Sequence, residues 1–184
     1  MPVQIGSRRA SRVALLARFP GAALLDVTSR GEQPWVHFSP FYPHGDIPVP
    51  LWPGLTAMSV EGIWQALKVF ERADVDLVRL ANDTMRDIKR SAHSLGAVRG
   101  HRTAQGALLG YAEARLKIYL PAYRYVLDNR LQAELAQLRD LAARQTLVLL
   151  DYETNADIGD LSRPLSHASL IARYLAGEWP LPQP

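Results

Sequence analysis

The clearest pattern of apolar and polar positions lies between Ser59 and Phe70, where Val60, Ile63, Trp64, Leu67 and Phe70 recur at helical spacing behind Ser59, a natural N-cap. This predicts one helix over the whole run. Glu61, Gln65 and Lys68 stand at i, i+4 and i+7, off the main apolar stripe, and so share a polar face. A solvated face is the ordinary explanation of such a pattern. Here, however, the helix follows directly on a proline-aromatic stretch that could cover the polar face and close a pocket.

Elsewhere the periodicity predicts a short strand at Leu24–Thr28, a second extended piece at Trp35–Phe38, helical pieces over Asp74–Leu80 and Thr84–Leu95, and a loop over Gly96–Arg102. The spacing of Leu109, Ala112, Leu116, Tyr119, Leu120, Tyr123 and Leu127 predicts a long amphipathic helix that Pro121 kinks or interrupts. Leu131, Leu135, Leu138 and Ala142 predict another helix, Thr146–Leu150 a buried strand, and Ser166–Ala176 a last helix stopped by Gly177. Five prolines between Ser39 and Gly54 (Pro40, Pro43, Pro48, Pro50, Pro53) forbid a continuous helix or central strand there. The aromatics of this loop, Phe38, Phe41, Tyr42 and Trp52, require a packing surface, as core cover or as a pocket wall. The organisation expected is a basic, partly helical lead-in over 1–22, one domain over 23–178 and a proline-rich tail over 179–184.

With 184 residues, 48% of them hydrophobic and 21% charged, the chain has the makings of a globular core. Cysteine is absent, which removes disulfides, thiolate nucleophiles, iron–sulfur clusters and Cys-based zinc sites and leaves carboxylates, histidines, hydroxyls and lysines for chemistry. None of the five histidines pairs with another at zinc-binding helical spacing, and no cofactor motif is present. The net charge of +3 mildly favours anions. Lysine occurs only as Lys68, Lys89 and Lys117, so a lysine inside a patterned motif stands out. Arg99, His101 and Arg102 gather between glycines in an arrangement able to hold a phosphate, although arginine-rich surface loops are common. No segment approaches the ~20 apolar residues of a membrane span, and Arg18 and Pro20 break the candidate signal region. A cytoplasmic protein is expected.

Several motifs occur in a distinctive order: Phe38-Ser39-Pro40-Phe41-Tyr42-Pro43, then Ser59-Val60-Glu61, then Gln65-Ala66-Leu67-Lys68-Val69-Phe70, and finally the loop from Asn155 through Asp157 to Asp160 before the last helix. Over about residues 24–176 this order resembles the NADAR family. The resemblance implies a mostly helical α+β single domain with a small β-sheet, NADAR-like, and hydrolysis of N-glycosidic bonds. Its substrates would be phosphoribosylated pyrimidine intermediates or ADP-ribosylated guanine in DNA or RNA. It aligns Glu61 with the family's motif glutamate, Gln65 and Lys68 with the polar pair that follows, Asp160 with the acidic residue of the late loop and Arg99 with a basic residue of the middle loop. Phe38, Ser39, Phe41, Trp64, Asn155 and Asp157 complete the substrate-binding set. The chain departs from the family pattern at Gly62, Ile158, Leu161 and Ser169 and reads as a divergent branch.

The residues suit that chemistry. Breaking an N-glycosidic bond passes through an oxocarbenium-like state, which calls for a carboxylate near the anomeric carbon, a means of activating water, and a donor to the departing nitrogen. Glu61 and Asp160 are the candidates for the first two roles. On a continuous helix Lys68 would lie about 10 Å along the axis from Glu61, better placed to bind a substrate phosphate than to pair with the carboxylate. Gln65 would hold a ribose hydroxyl, and Trp64 or Phe41 would stack on a base. Two other classes stay open: a module that binds ADP-ribose without cleaving it, suggested by the altered late loop, and a nucleic-acid-binding protein using the arginines and the aromatic loop. No cofactor, metal or membrane partner is expected.

Overall fold

A computed structural model describes residues 3–180. It is an α+β protein with about 39% helix, 16% strand and only small sheets. The described residues cluster into two compact units, one formed by the chain through Ser39 together with Leu131–Pro180, the other by Pro40–Arg130.

The first unit opens with strand β1 (Val3–Ser7), helix α1 (Arg12–Arg18), whose N-cap Ser11 accepts from the Ala14 N–H, and strand β2 (Ala23–Asp26). The stretch expected as a lead-in carries a strand, β1, besides its helix. The expected extended piece at Trp35–Phe38 is instead a 3₁₀ turn that buries Val36 and Phe38.

The second unit runs through strands β3 (Ile47–Pro48) and β4 (Thr56–Ala57), helix α2 (Val60–Ala66) and strand β5 (Lys68–Phe70). After the short helix α3 (Ala92–Leu95) come β6 (Val98–Arg102) and β7 (Leu108–Leu109), and β5, β6 and β7 form an antiparallel sheet in that order. Three expectations fail here. The helix foreseen through Phe70 ends at Ala66, the loop foreseen at Gly96–Arg102 is for the most part the central strand β6, and the two helical pieces foreseen over Asp74–Leu80 and Thr84–Leu95 shrink to a 3₁₀ turn at Leu77–Ala81 and the four residues of α3. One cause serves the first two. Lys68-Val69-Phe70 finds a pairing partner some thirty residues downstream, with Lys68 opposite His101 and Val69 opposite Gly100, and a β-branched and an aromatic side chain fit that pleated surface.

Helix α4 (Tyr111–Ala114), a π-turn (Arg115–Tyr119) and helix α5 (Leu120–Asn129) follow without a break. Pro121 has no N–H to give and its ring crowds the preceding turn, so the chain widens to i→i+5 bonding just before it, with the Leu120 N–H bonded to the Arg115 carbonyl. The interruption expected at this proline is a local bulge.

The chain then returns to the first unit through helix α6 (Gln132–Arg144), strand β8 (Leu147–Asp151) and helix α7 (His167–Ala176). β8 lies between β1 and β2, parallel to both, with Leu149 opposite Ile5 on one side and Leu25 on the other. A central parallel strand covered on both faces must be apolar throughout, and Leu147, Val148 and Leu149 are fully buried. Gly177 ends α7 with φ at 75°, the left-handed cap conformation. The last four residues of the expected tail lie outside the described residues.

α7 is locked to β8 by a buried polar cluster. Asp151 Oδ2 accepts from the Ser166 hydroxyl at 2.8 Å, from the Ala168 N–H at 3.3 Å and from His167 Nδ1 at 2.9 Å. His167 Nε2 lies 2.9 Å from the Val27 carbonyl, which can only accept. Nε2 therefore carries a proton, and with the carboxylate ionised Nδ1 does too, making His167 an imidazolium. Burial alone would lower the His167 pKa, but the charge and hydrogen bond of Asp151 outweigh it and hold the pKa above its ordinary value. Burial would likewise raise Asp151, but His167, Ser166 and the Ala168 N–H bring it down to about 2.

Candidate functional site

The second unit holds the polar face of α2, and that face is not solvated. Ser59 caps the helix, its hydroxyl accepting from the Gly62 N–H at 3.0 Å, and the Glu61 N–H donates to the Pro40 carbonyl at 2.8 Å, which ties the proline-rich stretch to the first turn. Glu61 is 9% exposed and Gln65 4%. The Gln65 side chain does two jobs: Nε2 donates to Glu61 Oε1 at 2.8 Å, and Oε1 accepts the Arg90 N–H at 3.1 Å. Gln65 thus links the carboxylate to the segment that carries Lys89 and Arg90. Gly62 is explained by packing: a Cβ there would meet the Arg79 carbonyl oxygen and the Ser59 hydroxyl, each at 3.0 Å.

The early end of α2 changes the place of Lys68. Rather than projecting from a further helical turn, it opens β5, where its ammonium feels the Glu61 charge and lies 5.9 Å from the Trp64 ring centroid. Lys89, not singled out by sequence beyond the rarity of lysine, also acts on Glu61, and its Nζ lies 5.4 Å from the Phe41 ring centroid. Burial is the largest influence on Glu61 and raises its pKa, against the Gln65 hydrogen bond and the charges of Lys89 and Lys68. Burial also lowers the Lys68 pKa; Glu61 opposes this, while Lys89 and Arg90 add to it.

An aromatic group stands beside this cluster. Trp64 stacks on His101 with centroids 3.8 Å apart and meets Tyr111 and Tyr119 edge-on at 5.9 and 5.8 Å. His101 is 1% exposed and neither ring nitrogen makes a hydrogen bond of normal geometry. Burial, with the Lys68 charge opposite it, pushes its pKa down to about 3, so the imidazole is neutral near pH 7. Arg115, buried in the π-turn, donates to the Tyr111 hydroxyl at 3.1 Å. The sequence marked His101 only as part of a phosphate-holding loop with Arg99 and Arg102, Lys89 only for the rarity of lysine, and Tyr111 and Arg115 not at all; the β5–β6 register brings His101 opposite Lys68, and the Arg90–Gln65 hydrogen bond holds the segment of Lys89 against α2.

Arg99 lies on β6, exposed, and pairs with Glu71 at 2.7 Å. The other candidates, Phe38, Ser39, Asn155, Asp157 and Asp160, belong to the first unit. Phe38 and Ser39 are buried at and just after the 3₁₀ turn. The late loop is held by its own side chains. Asn155 Nδ2 donates to the carbonyls of Asp160 and Arg163 at 3.1 and 3.3 Å, Asp157 Oδ1 accepts from the Gly159 N–H at 2.8 Å, and Asp160 accepts from Ser162 and Arg163. The Ser162 bonds, then Arg163, hold the Asp160 pKa below the usual carboxylate value. Among the described residues, no group of three His, Asp or Glu side chains converges as a metal site, and no helix is long and apolar enough to cross a membrane.

A buried acid, an amide, two lysines and aromatic faces stand together here, with the pKa values of Glu61, Lys68 and His101 shifted by burial and by neighbouring charge. The chain belongs to a family of unknown function, DUF6939, whose family model matches residues 7–171. No curated protein matches it.

Proposed function

We propose that this protein is an N-glycoside hydrolase acting on a phosphoribosyl or ADP-ribosyl adduct, in the manner of the NADAR family that its motifs resemble. The observation that carries the reading is Glu61: a buried carboxyl with a raised pKa, hydrogen-bonded by Gln65 and flanked by lysines, on the helix where the resemblance puts the family's glutamate. A carboxyl with a raised pKa keeps its proton to higher pH than an ordinary one, as the protonation of a departing ring nitrogen requires, and its ionised form can activate water. Lys68 binds the sugar phosphate, and the aromatic faces of Trp64 and Phe41 receive the base. The resemblance names Asp160 as the second carboxylate; its pKa is held below the usual carboxylate value, so it is ionised at neutral pH. The substrate is a small molecule or a modified guanine in DNA or RNA, and the protein works in the cytoplasm.

Glu61→Gln keeps the acceptor that Gln65 needs and removes the proton. In that variant, release of sugar phosphate from ADP-ribosylated guanine DNA or from ribose-5-phosphate aminopyrimidines, followed by mass spectrometry, is expected to stop while ligand binding persists. Unchanged turnover would remove Glu61 from the mechanism. A second reading has one observation in its favour: the Asp160 carboxylate is committed to Ser162 and Arg163. On that reading the protein binds ADP-ribose without cleaving it, and the same assay gives binding with no product from either adduct.

A further inference from the structure

The two lysines beside Glu61 share a single carboxylate. Among the described residues neither ammonium makes an ion pair or hydrogen bond; each has an aromatic face, Trp64 at 5.9 Å for Lys68 and Phe41 at 5.4 Å for Lys89. Glu61 is the one carboxylate that acts on Lys68. Lys89 is also held in place rather than trailing in a loop. Arg79 Nη1 donates to the carbonyls of Asp87 and Ile88 at 2.6 and 2.9 Å, Ile88 is buried, and Arg90 donates from its backbone to Gln65 and from its guanidinium to the Asp74 carbonyl at 2.7 Å. Both neighbours of Lys89 are therefore anchored.

We propose that Lys68 and Lys89 form a cradle for a doubly charged phosphate monoester, and that the arriving dianion drives a proton onto Glu61. The inference rests on reading the surroundings of Glu61 as a ligand site, but not on any bond being cleaved there. The charge balance supports it. With Glu61 ionised the cluster carries one net positive charge, and with Glu61 protonated it carries two, which is what a dianion matches. A dianion close to a buried carboxylate disfavours the ionised form, so ligand and proton bind together and each strengthens the other. The charged groups on the elements around α2 are already engaged: Asp76 with Arg79, Asp128 with Arg124, and Arg115 with Tyr111. His101 stays neutral and Arg90 acts on Lys68. In the resting protein Lys68 and Lys89 also repel one another, and a bound dianion relieves this. The consequence for the proposed reaction is that binding of a phosphate monoester draws a proton from solvent onto the acid that the leaving group needs.

The test uses sulfate, a dianion that does not itself titrate between pH 5 and 8, added to the full chain by calorimetry in two buffers of different ionisation heat. Saturable binding is expected, weakened at least about tenfold in Lys89→Ala and in Lys68→Ala and unchanged in Lys117→Ala, whose ammonium pairs with Glu113 on the surface. Wild type is expected to take up a fraction of a proton per sulfate, and Glu61→Gln none. Binding that survives Lys89→Ala, falls equally in Lys117→Ala, or does not saturate would overturn the cradle. Lysine-dependent binding without proton uptake would overturn the link to Glu61. A protein that passes both tests yet cleaves neither adduct keeps this site and loses the hydrolase; one that cleaves an adduct but ignores Lys89 does the reverse.

Discussion

Asp151→Asn removes the charge that keeps His167 protonated in the interior of the first unit. The carboxylate stands at about pKa 2 against 3.8 when free, and that shift corresponds to roughly 2–3 kcal/mol at neutral pH. Truncating one partner of a buried pair costs about 3–5 kcal/mol when the other charge is stranded. Here the imidazolium can shed its proton, and the asparagine carbonyl still accepts one hydrogen bond, so a loss near 3 kcal/mol, the low end of that range, is expected. The pH dependence has two sides. Because the Asp151 pKa is depressed, its contribution is complete above about pH 4 and is lost as the pH falls toward about 2. Because the His167 pKa is raised, its contribution is complete below about pH 6.5 and is lost as the pH rises through the raised value. These are two views of one pair and do not add. Urea unfolding followed by circular dichroism reads the effect: with a slope of about 2 kcal/mol per molar, the midpoint of the variant drops by about 1.5 M at pH 6. In strongly alkaline solution, where His167 is neutral in both proteins, the gap narrows. A drop under about 0.5 M at pH 6 would refute the charged pair.

Other outcomes follow from single observations. Ser59→Ala deletes a buried cap whose hydroxyl accepts from Gly62, and it should cost about 1 kcal/mol of stability in the same unfolding assay. The His101 imidazole resonance should stay flat in NMR titrations between pH 5 and 8, since its pKa lies at about 3; a midpoint near the ordinary 6.5 would mean that His101 is not enclosed. If Glu61 serves as the acid, its raised pKa makes turnover fall as the pH climbs through that value, and a rate that rises over the same interval would exclude the role. Leu149→Ala, in the middle of the central parallel strand, should destabilise by about 2–5 kcal/mol, enough to shift the unfolding midpoint well beyond that of Ser59→Ala.

Those elements whose signal is local were legible in the sequence. Ser166 as cap, Gly177 as stop, the stripe Leu131–Leu135–Leu138 and the apolar run of β8 each carry their cause within a few residues, and each forms where the periodicity places it. Glu61 and Gln65 were also visible as a pair on one helical face, because i and i+4 are neighbours on any helix. What periodicity could not supply was the end of that helix. Val60 through Phe70 satisfies the helical pattern throughout, and only the partner strand β6 makes Lys68-Val69-Phe70 extended. Long-range pairing therefore decided that Lys68 turns back beside Glu61, that His101 is buried under Trp64, and that Lys89 faces the same carboxyl. It also decided the environment that sets their chemistry. Types and spacings of residues are local properties, whereas burial and the distance between charges, which govern every pKa in this site, exist only once segments remote in sequence have packed together.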